Sequence, residues 1–147
     1  MAWFQPKPLT VPDIIALNAG SLHGKTAWVD RERRVSWTEF GAGTSRVANA
    51  LAAAGLEKGD RVVVLMKNSY EMAEAMFGII RGGYVAVPLN VSISDAAVAG
   101  MIANSAARAV FASDVKGEFL QQVVGTRVWR LESTDIADEA QPGGRCQ

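Results

Sequence analysis

Few side chains in this 147-residue sequence are of a type that could carry chemistry. His23 is the only histidine, and it lies in a short Leu-His-Gly-Lys stretch. A histidine-rich metal site needs several such ligands, and a hydrolase triad needs its histidine beside a suitable serine and acid. We therefore expect His23 on the surface and exclude a histidine-rich metal site. Cys146 is the only cysteine and cannot form an internal disulfide, which fits a reducing compartment.

Two short patterns resemble known catalytic or binding motifs but are incomplete. Ser113 and Lys116 form an S-x-x-K pattern, yet the S-D-N and K-T-G partners of β-lactam enzymes are absent, so a helix cap is the better interpretation. Gly41 and Gly43 begin a dinucleotide-binding fingerprint, which would need a third glycine where Arg46 stands. We interpret these glycines as small residues that permit close helix packing. A nicotinamide-binding domain is an alternative that the broken pattern disfavours.

Phosphate-binding and metal-binding loops are absent from the sequence. It contains no G-x-x-x-x-G-K-[ST] motif and no glycine- and hydroxyl-rich loop that ends in lysine. We therefore predict no catalytic, cofactor-binding or metal-binding residue in this chain. The remaining candidates are Asn68 and Asn90, which follow predicted strands, where open α/β sheets place their ligands. We predict these two as possible substrate-facing positions.

The overall composition is that of an ordinary globular domain. Apolar residues make up 49% of the chain, and 15 basic residues balance 15 acidic ones, so the chain lacks the basic field that attracts nucleic acid. No apolar run is long enough to span a membrane, and the N-terminus has no signal-peptide pattern, so we expect a cytoplasmic protein. Four tryptophans are scattered along the chain, and we interpret them as packing residues rather than a base-stacking platform: Trp3, Trp28, Trp37 and Trp129.

The first half of the sequence predicts an arm, a short helix, a hairpin and a long helix. We expect the first dozen residues to be extended and Asp13 to cap a helix from Ile14 to Asn18. Two β-prone runs, Thr26–Asp30 and Val35–Trp37, flank a short polar stretch and predict a hairpin. Ser36 and Glu39 form an S-x-x-E capping box, after which apolar residues recur every three or four positions. This pattern predicts a helix from Trp37 to Ala54, ended by Gly55.

The second half alternates strands and helices. Such alternation is typical of βαβ units with a mainly parallel sheet, right-handed crossovers and flanking helices. The predicted elements are, in order, a strand at Arg61–Met66, a helix capped by Asn68 or Ser69 and reaching Ile80, a strand at Tyr84–Val87, a helix from Asp95 to Ser105, a strand at Arg108–Ala112, a short helix at Val115–Val124 and a strand at Arg127–Leu131. From Glu132 onward the chain becomes polar and acidic, so we expect residues 133–147 to be a flexible tail.

Five segments stand in series along the chain: Val35–Phe40, Ala50–Val62, Asn68–Glu71, Gly82–Asn90 and Asn104–Val110. Together they resemble the opening region of the adenylate-forming (AMP-binding) superfamily, which includes the acyl-CoA synthetases. The resemblance covers residues from about Ala27 to Ser113. The clearest matches are to "(L/V)-(T/S)-(Y/W)-x-E-(L/F)", to "L-x-x-x-G-(L/V)-x-x-G-D-x-V" and to "G-G/A-x-x-x-P-(L/I)-(N/D)", with shorter matches to "N-S-x-E" and "S-x-A-(R/K)-x-(V/I)".

This resemblance implies the α/β N-terminal subdomain of an acyl-CoA synthetase at residues 26–132, preceded by an arm and short helix at residues 1–25. Full-length members use ATP and Mg²⁺ to convert a carboxylate to an acyl-adenylate, which coenzyme A then takes up as a thioester. Their phosphate loop, magnesium segment and catalytic lysine match no segment of this sequence. We therefore expect the isolated chain to be inactive and to pair with the remainder of a synthetase or with itself as a homodimer. A non-catalytic interaction module derived from the same fold is the alternative.

Overall fold

The computed structural model describes residues 9–113, 117–120 and 127–130. Helices and strands alternate along most of this part of the chain, as the sequence predicts. In order they are α1 (Val11–Ser21), β1 (Thr26–Asp30), β2 (Arg33–Ser36), α2 (Trp37–Ala53), β3 (Arg61–Leu65), α3 (Tyr70–Arg81), β4 (Val85–Pro88), α4 (Asp95–Ser105), β5 (Ala109–Ala112), α5 (Gly117–Leu120) and β6 (Arg127–Arg130).

The last four strands form one parallel sheet in the order β4-β3-β5-β6, and β1 and β2 form a separate antiparallel hairpin. In the central strand, Val62 lies beside Ala86 of β4 and Ala109 of β5. Val62, Val63 and Val64 are completely buried, as a central strand covered on both faces requires. The predicted α/β class with a mainly parallel sheet is confirmed.

Two apolar layers cover the opposite faces of this sheet. Because successive side chains of a strand point to opposite faces, Val62 and Val64 pack on one layer while Val63 packs on the other. The first layer includes Val47 and Leu51 of α2 and Ile79 of α3. The second includes Val98 and Ile102 of α4 and Leu120 of α5. The helices thus sandwich the sheet and fix the ends of its strands.

Helix α2 begins where the capping box predicts. The Ser36 hydroxyl accepts a hydrogen bond from the Glu39 N–H at 3.2 Å, and the Glu39 carboxylate accepts one from the Ser36 N–H at 2.7 Å. The Ser36 backbone and hydroxyl donors lower the pKa of the Glu39 carboxyl, because they stabilise its ionised form. The helix ends at Ala53, with Ala54 as its C-cap and Gly55 at a φ of +82°. The predicted span is therefore confirmed to within one residue.

The prediction for the first helix is wrong in its start and its cap. Helix α1 begins at Val11, and its N-cap is Thr10, whose hydroxyl accepts a hydrogen bond from the Asp13 N–H at 3.4 Å. Asp13 occupies the third helical position and accepts a hydrogen bond from the Thr10 N–H at 2.9 Å. Pro12 fits the first turn because the N–H groups there have no helical partner. Residues 1–8 of the predicted extended arm lie outside the described residues.

The later elements agree with prediction apart from small shifts at their ends. Ser69, not Asn68, is the N-cap of α3, since its hydroxyl accepts a hydrogen bond from the Met72 N–H at 3.2 Å. Helix α3 extends to Arg81, and α4 has the predicted span. Of the predicted helix at 115–124, the structure describes Gly117–Leu120. The predicted tail at 133–147 lies outside the described residues.

Candidate functional site

The carboxyl edge of the parallel sheet brings together the two asparagines that the sequence singles out. Asn68 follows β3 and Asn90 follows β4, and both lie on an open cleft of about 490 Å³. We call it the edge cleft. It is lined by the last residue of β4, by the residues that follow β3 and β4, and by one side chain of α3: Met66, Lys67, Asn68, Met72, Pro88, Leu89, Asn90 and Val91. Parallel strands that end at the same edge explain this proximity.

The polar groups of the edge cleft differ in how they are held. The Asn90 side-chain oxygen accepts a hydrogen bond from the Ser92 N–H at 2.8 Å, which fixes a tight turn at the end of β4. One of the two lone pairs of that oxygen is thus used within the turn. Lys67 and Asn68 are exposed on the other side of the cleft. The arrangement offers one cation and two amides and can bind a polar or anionic group, but it contains no acid–base pair.

A second, mostly apolar opening adjoins the edge cleft. It has a volume of about 390 Å³ and lies between β1 and α3, and we call it the hairpin groove. Asn68 and Met72 line both openings. The other residues of the hairpin groove come from one face of α3 and from three consecutive positions of β1: Trp28, Val29, Asp30, Ser69, Tyr70, Ala73, Met76 and Phe77. The two openings thus meet at the start of α3.

A charge cluster around the buried Glu74 joins α3 to α2 and to the hairpin. The Glu74 carboxylate lies 3.3 Å from the Arg46 guanidinium, and Arg33 lies 2.8 Å from Glu71 and 4.5 Å from the centre of the Tyr70 ring. Burial raises the pKa of the Glu74 carboxyl, and the attraction of Arg46 opposes that effect. Burial and the neighbouring Glu74 carboxylate also raise the pKa of Tyr70.

The sequence analysis missed Glu74 as a buried group. Its partner Arg46 lies 28 positions away on another helix, so no local spacing indicates the pair. The only signal is that position 74 lies four residues after Tyr70, on the same face of the helix. A charged residue on a face that is otherwise apolar is the pattern that would have indicated it.

Replacing Glu74 with glutamine is expected to remove part of the pH dependence of stability. Because the pKa of Glu74 is raised in the folded chain, the native state binds its proton more tightly than the unfolded state does. The free energy of unfolding should therefore fall as pH rises from 4.5, the usual value, through the folded pKa, and then level off. Urea titrations across this pH range would show a smaller fall in the free energy of unfolding for Glu74→Gln than for the parent.

Glu57→Gln, at an exposed position, is the matched control and should follow the parent. Identical pH profiles for Glu74→Gln and the parent would contradict this assignment.

The other residues that the sequence singles out lie apart from the two openings. His23 is exposed, as predicted, and its backbone carbonyl accepts a hydrogen bond from the Thr38 hydroxyl at 3.2 Å. Gly41 and Gly43 are buried in the first turns of α2, where Gly43 faces Glu74 of α3. Their interpretation as helix-packing residues is confirmed. Ser113 follows β5, whereas its predicted companion Lys116 and the lone Cys146 lie outside the described residues.

The tryptophans that the structure describes with their side chains are packing residues, as predicted. The Trp28 ring lies 5.6 Å from that of Phe40, and the Trp37 ring lies 6.2 Å from it. The side chains of Trp3 and Trp129 lie outside the described residues. Tilted and edge-on packing against Phe40 holds both indoles in the aromatic cluster.

Metal-ligating side chains are not clustered in the part of the chain that the structure describes. In the ranges 9–113, 117–120 and 127–130, no group of three histidine, cysteine, aspartate or glutamate side chains could hold a metal ion. Nor does the sequence contain a loop able to cradle a triphosphate. No helix in this described part is both long and apolar enough to cross a membrane.

Comparison with known proteins identifies the family. The sequence profile described as "AMP-binding enzyme" matches residues 16–144, which is most of the chain. The chain belongs to the AMP-binding enzyme family. Among curated relatives of this family, a 3-hydroxybenzoate–CoA/4-hydroxybenzoate–CoA ligase from Thauera aromatica is 41% identical over 110 residues. That match covers 73% of this chain and 20% of the relative. The chain thus spans about a fifth of the length of such relatives.

Solved structures of AMP-binding enzymes share this fold. A benzoate CoA ligase from Burkholderia xenovorans LB400 superimposes with a TM-score of 0.75 and 26% identity, over 81% of this chain and 25% of that one. VinN in complex with L-aspartate superimposes with a TM-score of 0.80 and 23% identity, over 93% of this chain and 37% of that one. These matches confirm the predicted N-terminal subdomain fold of adenylate-forming enzymes.

Proposed function

We propose that this chain is the N-terminal framework of an ATP-dependent carboxylate–CoA ligase that acts through an acyl-adenylate. The supporting observation is the family match over residues 16–144, together with relatives whose names describe aryl-CoA and fatty acid–CoA ligases. A carboxylate is a poor electrophile, and an adenylate gives it a leaving group that a thiol can displace. ATP, Mg²⁺ and coenzyme A would supply that chemistry in the whole enzyme, and the cell compartment would be the cytoplasm.

In this proposal the chain acts as a scaffold at residues 26–132 and holds the edge cleft in shape. Lys67, Asn68 and Asn90 stand at the carboxyl ends of β3 and β4, where a polar ligand group would enter. The turn hydrogen bond at Asn90 and the N-cap at Ser69 fix the two loops that carry these side chains. No two of these residues form an acid–base pair or a nucleophile–base pair. We therefore propose substrate-facing roles for the asparagines and no catalytic role.

An aromatic acid is the substrate class that we propose first. The supporting observation is the name of the Thauera aromatica relative, a hydroxybenzoate–CoA ligase that is 41% identical. The relative named "3-hydroxybenzoate–CoA ligase", from Aromatoleum, is 36% identical over 107 residues. A relative named as a long-chain fatty acid ligase, from Mycobacterium tuberculosis, is 35% identical over 77 residues. Both hydroxybenzoate-named matches are longer and more identical than the fatty acid one.

Pyrophosphate exchange tests the proposal. We expect the purified 147-residue chain to show no carboxylate-dependent exchange between pyrophosphate and ATP with benzoate, 3-hydroxybenzoate or hexadecanoate. A chimera should be active if it carries the matching 110 residues of this chain in place of those of the Thauera aromatica ligase. Robust exchange by the isolated chain would contradict the framework role. A folded but inactive chimera would contradict the family function for this chain.

A non-catalytic interaction module is the second candidate, and one observation favours it. Helix α1 is apolar on its outer face as well as its inner one, with Val11, Ile14 and Leu17 exposed at three-residue spacing. Exposed apolar patches of this kind favour association. Sedimentation of the isolated chain distinguishes the two, because a monomer at high concentration would leave this face without a self-association role.

A further inference from the structure

Helix α1 exposes apolar side chains on the face that points away from the rest of the fold. Its inner face is held by Ile15, which is buried in the aromatic cluster around Phe40. On the outer side four large apolar residues are between 42% and 63% exposed, and we call them the α1 face: Leu9, Val11, Ile14 and Leu17. They are half of the eight large apolar residues that are exposed in the described part of the chain. Exposed apolar surface is therefore concentrated here, as at a docking site.

The α1 face carries no charge. Asp13 is the only ionisable residue of α1, and its carboxylate accepts hydrogen bonds from the Thr10 N–H at 2.9 Å and the Thr10 hydroxyl at 2.6 Å. These bonds turn the carboxylate back to the start of the helix. The other exposed positions of α1 are small and uncharged: Ala16, Gly20 and Ser21. A partner for this surface therefore needs apolar side chains rather than charged ones.

The chain enters α1 on the side of this face. Thr10 is the N-cap and has an extended backbone, so Leu9 and Ile14 occupy the N′ and N4 positions of a hydrophobic staple. A staple fixes the angle at which the preceding chain meets the helix. Residues 1–8, which lie outside the described residues, therefore reach the helix beside the α1 face.

The sequence of residues 1–8 has the chemistry that this face requires. Trp3 and Phe4 are adjacent aromatic residues, and such side chains bury about 150–250 Å² each when they pack. Pro8 suits the second position of a turn, which would send the preceding residues back along the helix. Pro6 favours an extended backbone and lowers the entropy that the segment loses when it is ordered.

The segment is also long enough to cover the face. An extended backbone spans about 3.1 Å per residue, so the chain from Phe4 to Leu9 reaches about 15 Å. The α1 face from Val11 to Leu17 is about 9 Å long, at about 1.5 Å of rise per residue. Both aromatic side chains can therefore lie on the face without displacing the N-cap.

We propose that residues 1–8 fold back along α1 and cover the α1 face with Trp3 and Phe4. The contact is an intramolecular strap that removes apolar surface from water and holds α1 against the fold. Because the segment is tethered beside its site, it competes with separate partners at an effective concentration of about millimolar. This inference goes beyond the ligase proposal and does not depend on it. The strap would cover the face on which the interaction-module candidate rests.

A second copy of the chain is a poorer occupant of the α1 face. A stable dimer buries about 800 Å² on each partner, contributed by about 20–30 residues. The α1 face offers four large side chains on a helix of 11 residues. The exposed residues beyond the helix are mostly polar, and they include His23 and Lys25. The area of the face therefore suits two aromatic side chains better than a dimer.

Chymotrypsin digestion of the 147-residue chain tests the strap, because this protease cleaves after aromatic residues. Intact mass measures the rate at which residues 1–4 are removed. Ile14→Ser together with Leu17→Ser should speed that removal about tenfold, since burial of one aromatic side chain shifts the equilibrium by about that factor or more. Both positions are exposed, so the variant keeps the buried Ile15 contacts. Met101→Ser, an exposed apolar position on α4, is the matched control and should be cleaved like the parent.

Hydrogen exchange tests the same contact from the side of the segment. Trp3→Ser together with Phe4→Ser leaves every described residue unchanged. We expect the amides of Val11–Ser21 to exchange about fivefold faster in this variant, while those of β3 stay as slow as in the parent. Gln5→Ser together with Lys7→Ser is the matched control within the segment and should leave the exchange of α1 unchanged.

Three results would overturn the inference. The first is equal cleavage of the parent and of the Ile14→Ser, Leu17→Ser variant. The second is exchange of the α1 amides that does not respond to the loss of Trp3 and Phe4. The third is cleavage of the parent that slows as protein concentration rises, because a second copy would then be the occupant. Pyrophosphate exchange bears on the ligase proposal and on none of these results.

Discussion

Replacing Phe40 with alanine is expected to lower the free energy of unfolding by about 3–5 kcal/mol, the usual range for a buried phenylalanine. The Phe40 side chain is 2% exposed and stands at the centre of an aromatic cluster between α2, α3 and the hairpin. Its ring centre lies 5.6 Å from both Trp28 and Phe77 and about 6 Å from Trp37 and Tyr70. No neighbour can fill the space without leaving these edge-on contacts.

Urea denaturation of the parent and of two Phe40 variants measures this effect. A loss of this size is a large fraction of the 5–15 kcal/mol typical of small domains, so the urea midpoint of the alanine variant should fall clearly below that of the parent. Phe40→Leu retains most of the apolar volume and should lose clearly less. The loss would also reach the hairpin groove, because Trp28 and Phe77 contact Phe40 and line that groove. A change below about 1 kcal/mol for Phe40→Ala, typical of exposed positions, would show that the cluster is not packed as described.

The features that could be predicted from the sequence are those set by local signals. The Ser36–Glu39 capping box spans four residues and determined the start of α2, and the uniformly apolar run from Val62 indicated a central strand. Alternation of strands and helices then indicated a parallel sheet with both faces covered. The first cap was missed because Asp13 and Thr10 are both good N-cap residues. Only the geometry shows that Asp13 reaches back from the third position.

The features that could not be predicted depend on pairs that are distant in the sequence. Asn68 and Asn90 could be placed at strand ends, but their meeting at one cleft requires that β3 and β4 be neighbours in the sheet. The Glu74–Arg46 pair forms only when α2 and α3 pack with these two side chains facing each other. The hairpin groove needs the hairpin to lie beside α3, and the Asp30–Tyr70 hydrogen bond that holds it there spans 40 residues. Long-range contacts of this kind leave no local spacing in the sequence.

Gly78 allows α2 and α3 to pack closely, and a substitution at this position tests that packing. Gly78 lies on the face of α3 that meets α2. A Cβ atom at that position would lie 2.6 Å from Val47 Cγ1 and 3.0 Å from the Thr44 carbonyl oxygen. A β-branched side chain and a backbone atom have little freedom to move aside, so the helices would have to separate. The glycine is therefore required by the packing, although it weakens the helix itself.

Gly78→Ala is expected to lower the free energy of unfolding by about 2 kcal/mol. Overpacking typically costs about 1–3 kcal/mol or more, and the better helix propensity of alanine offsets about 1 kcal/mol of it. Gly100→Ala separates the two effects, because Gly100 lies in α4 with no atom within 4 Å of an added Cβ. That control should raise stability by about 0.4–1 kcal/mol. Thermal and urea unfolding of both variants should therefore give opposite signs.

A double substitution identifies the atoms responsible. Val47→Ala removes the Cγ1 methyl group that would lie 2.6 Å from an added Cβ at position 78, but it keeps the Val47 Cβ atom, which lies nearer still. The change leaves a small cavity in the apolar layer that includes Leu51. If the clash is with Val47, Gly78→Ala should destabilise the Val47→Ala background by less than it destabilises the parent. The coupling between the two positions should then be favourable and at least about 0.5 kcal/mol, as for residues in contact. Strictly additive effects would place the clash at the atoms that Val47→Ala retains, the Val47 Cβ and the Thr44 carbonyl oxygen. Stabilisation by Gly78→Ala in both backgrounds would contradict the close packing of α2 and α3.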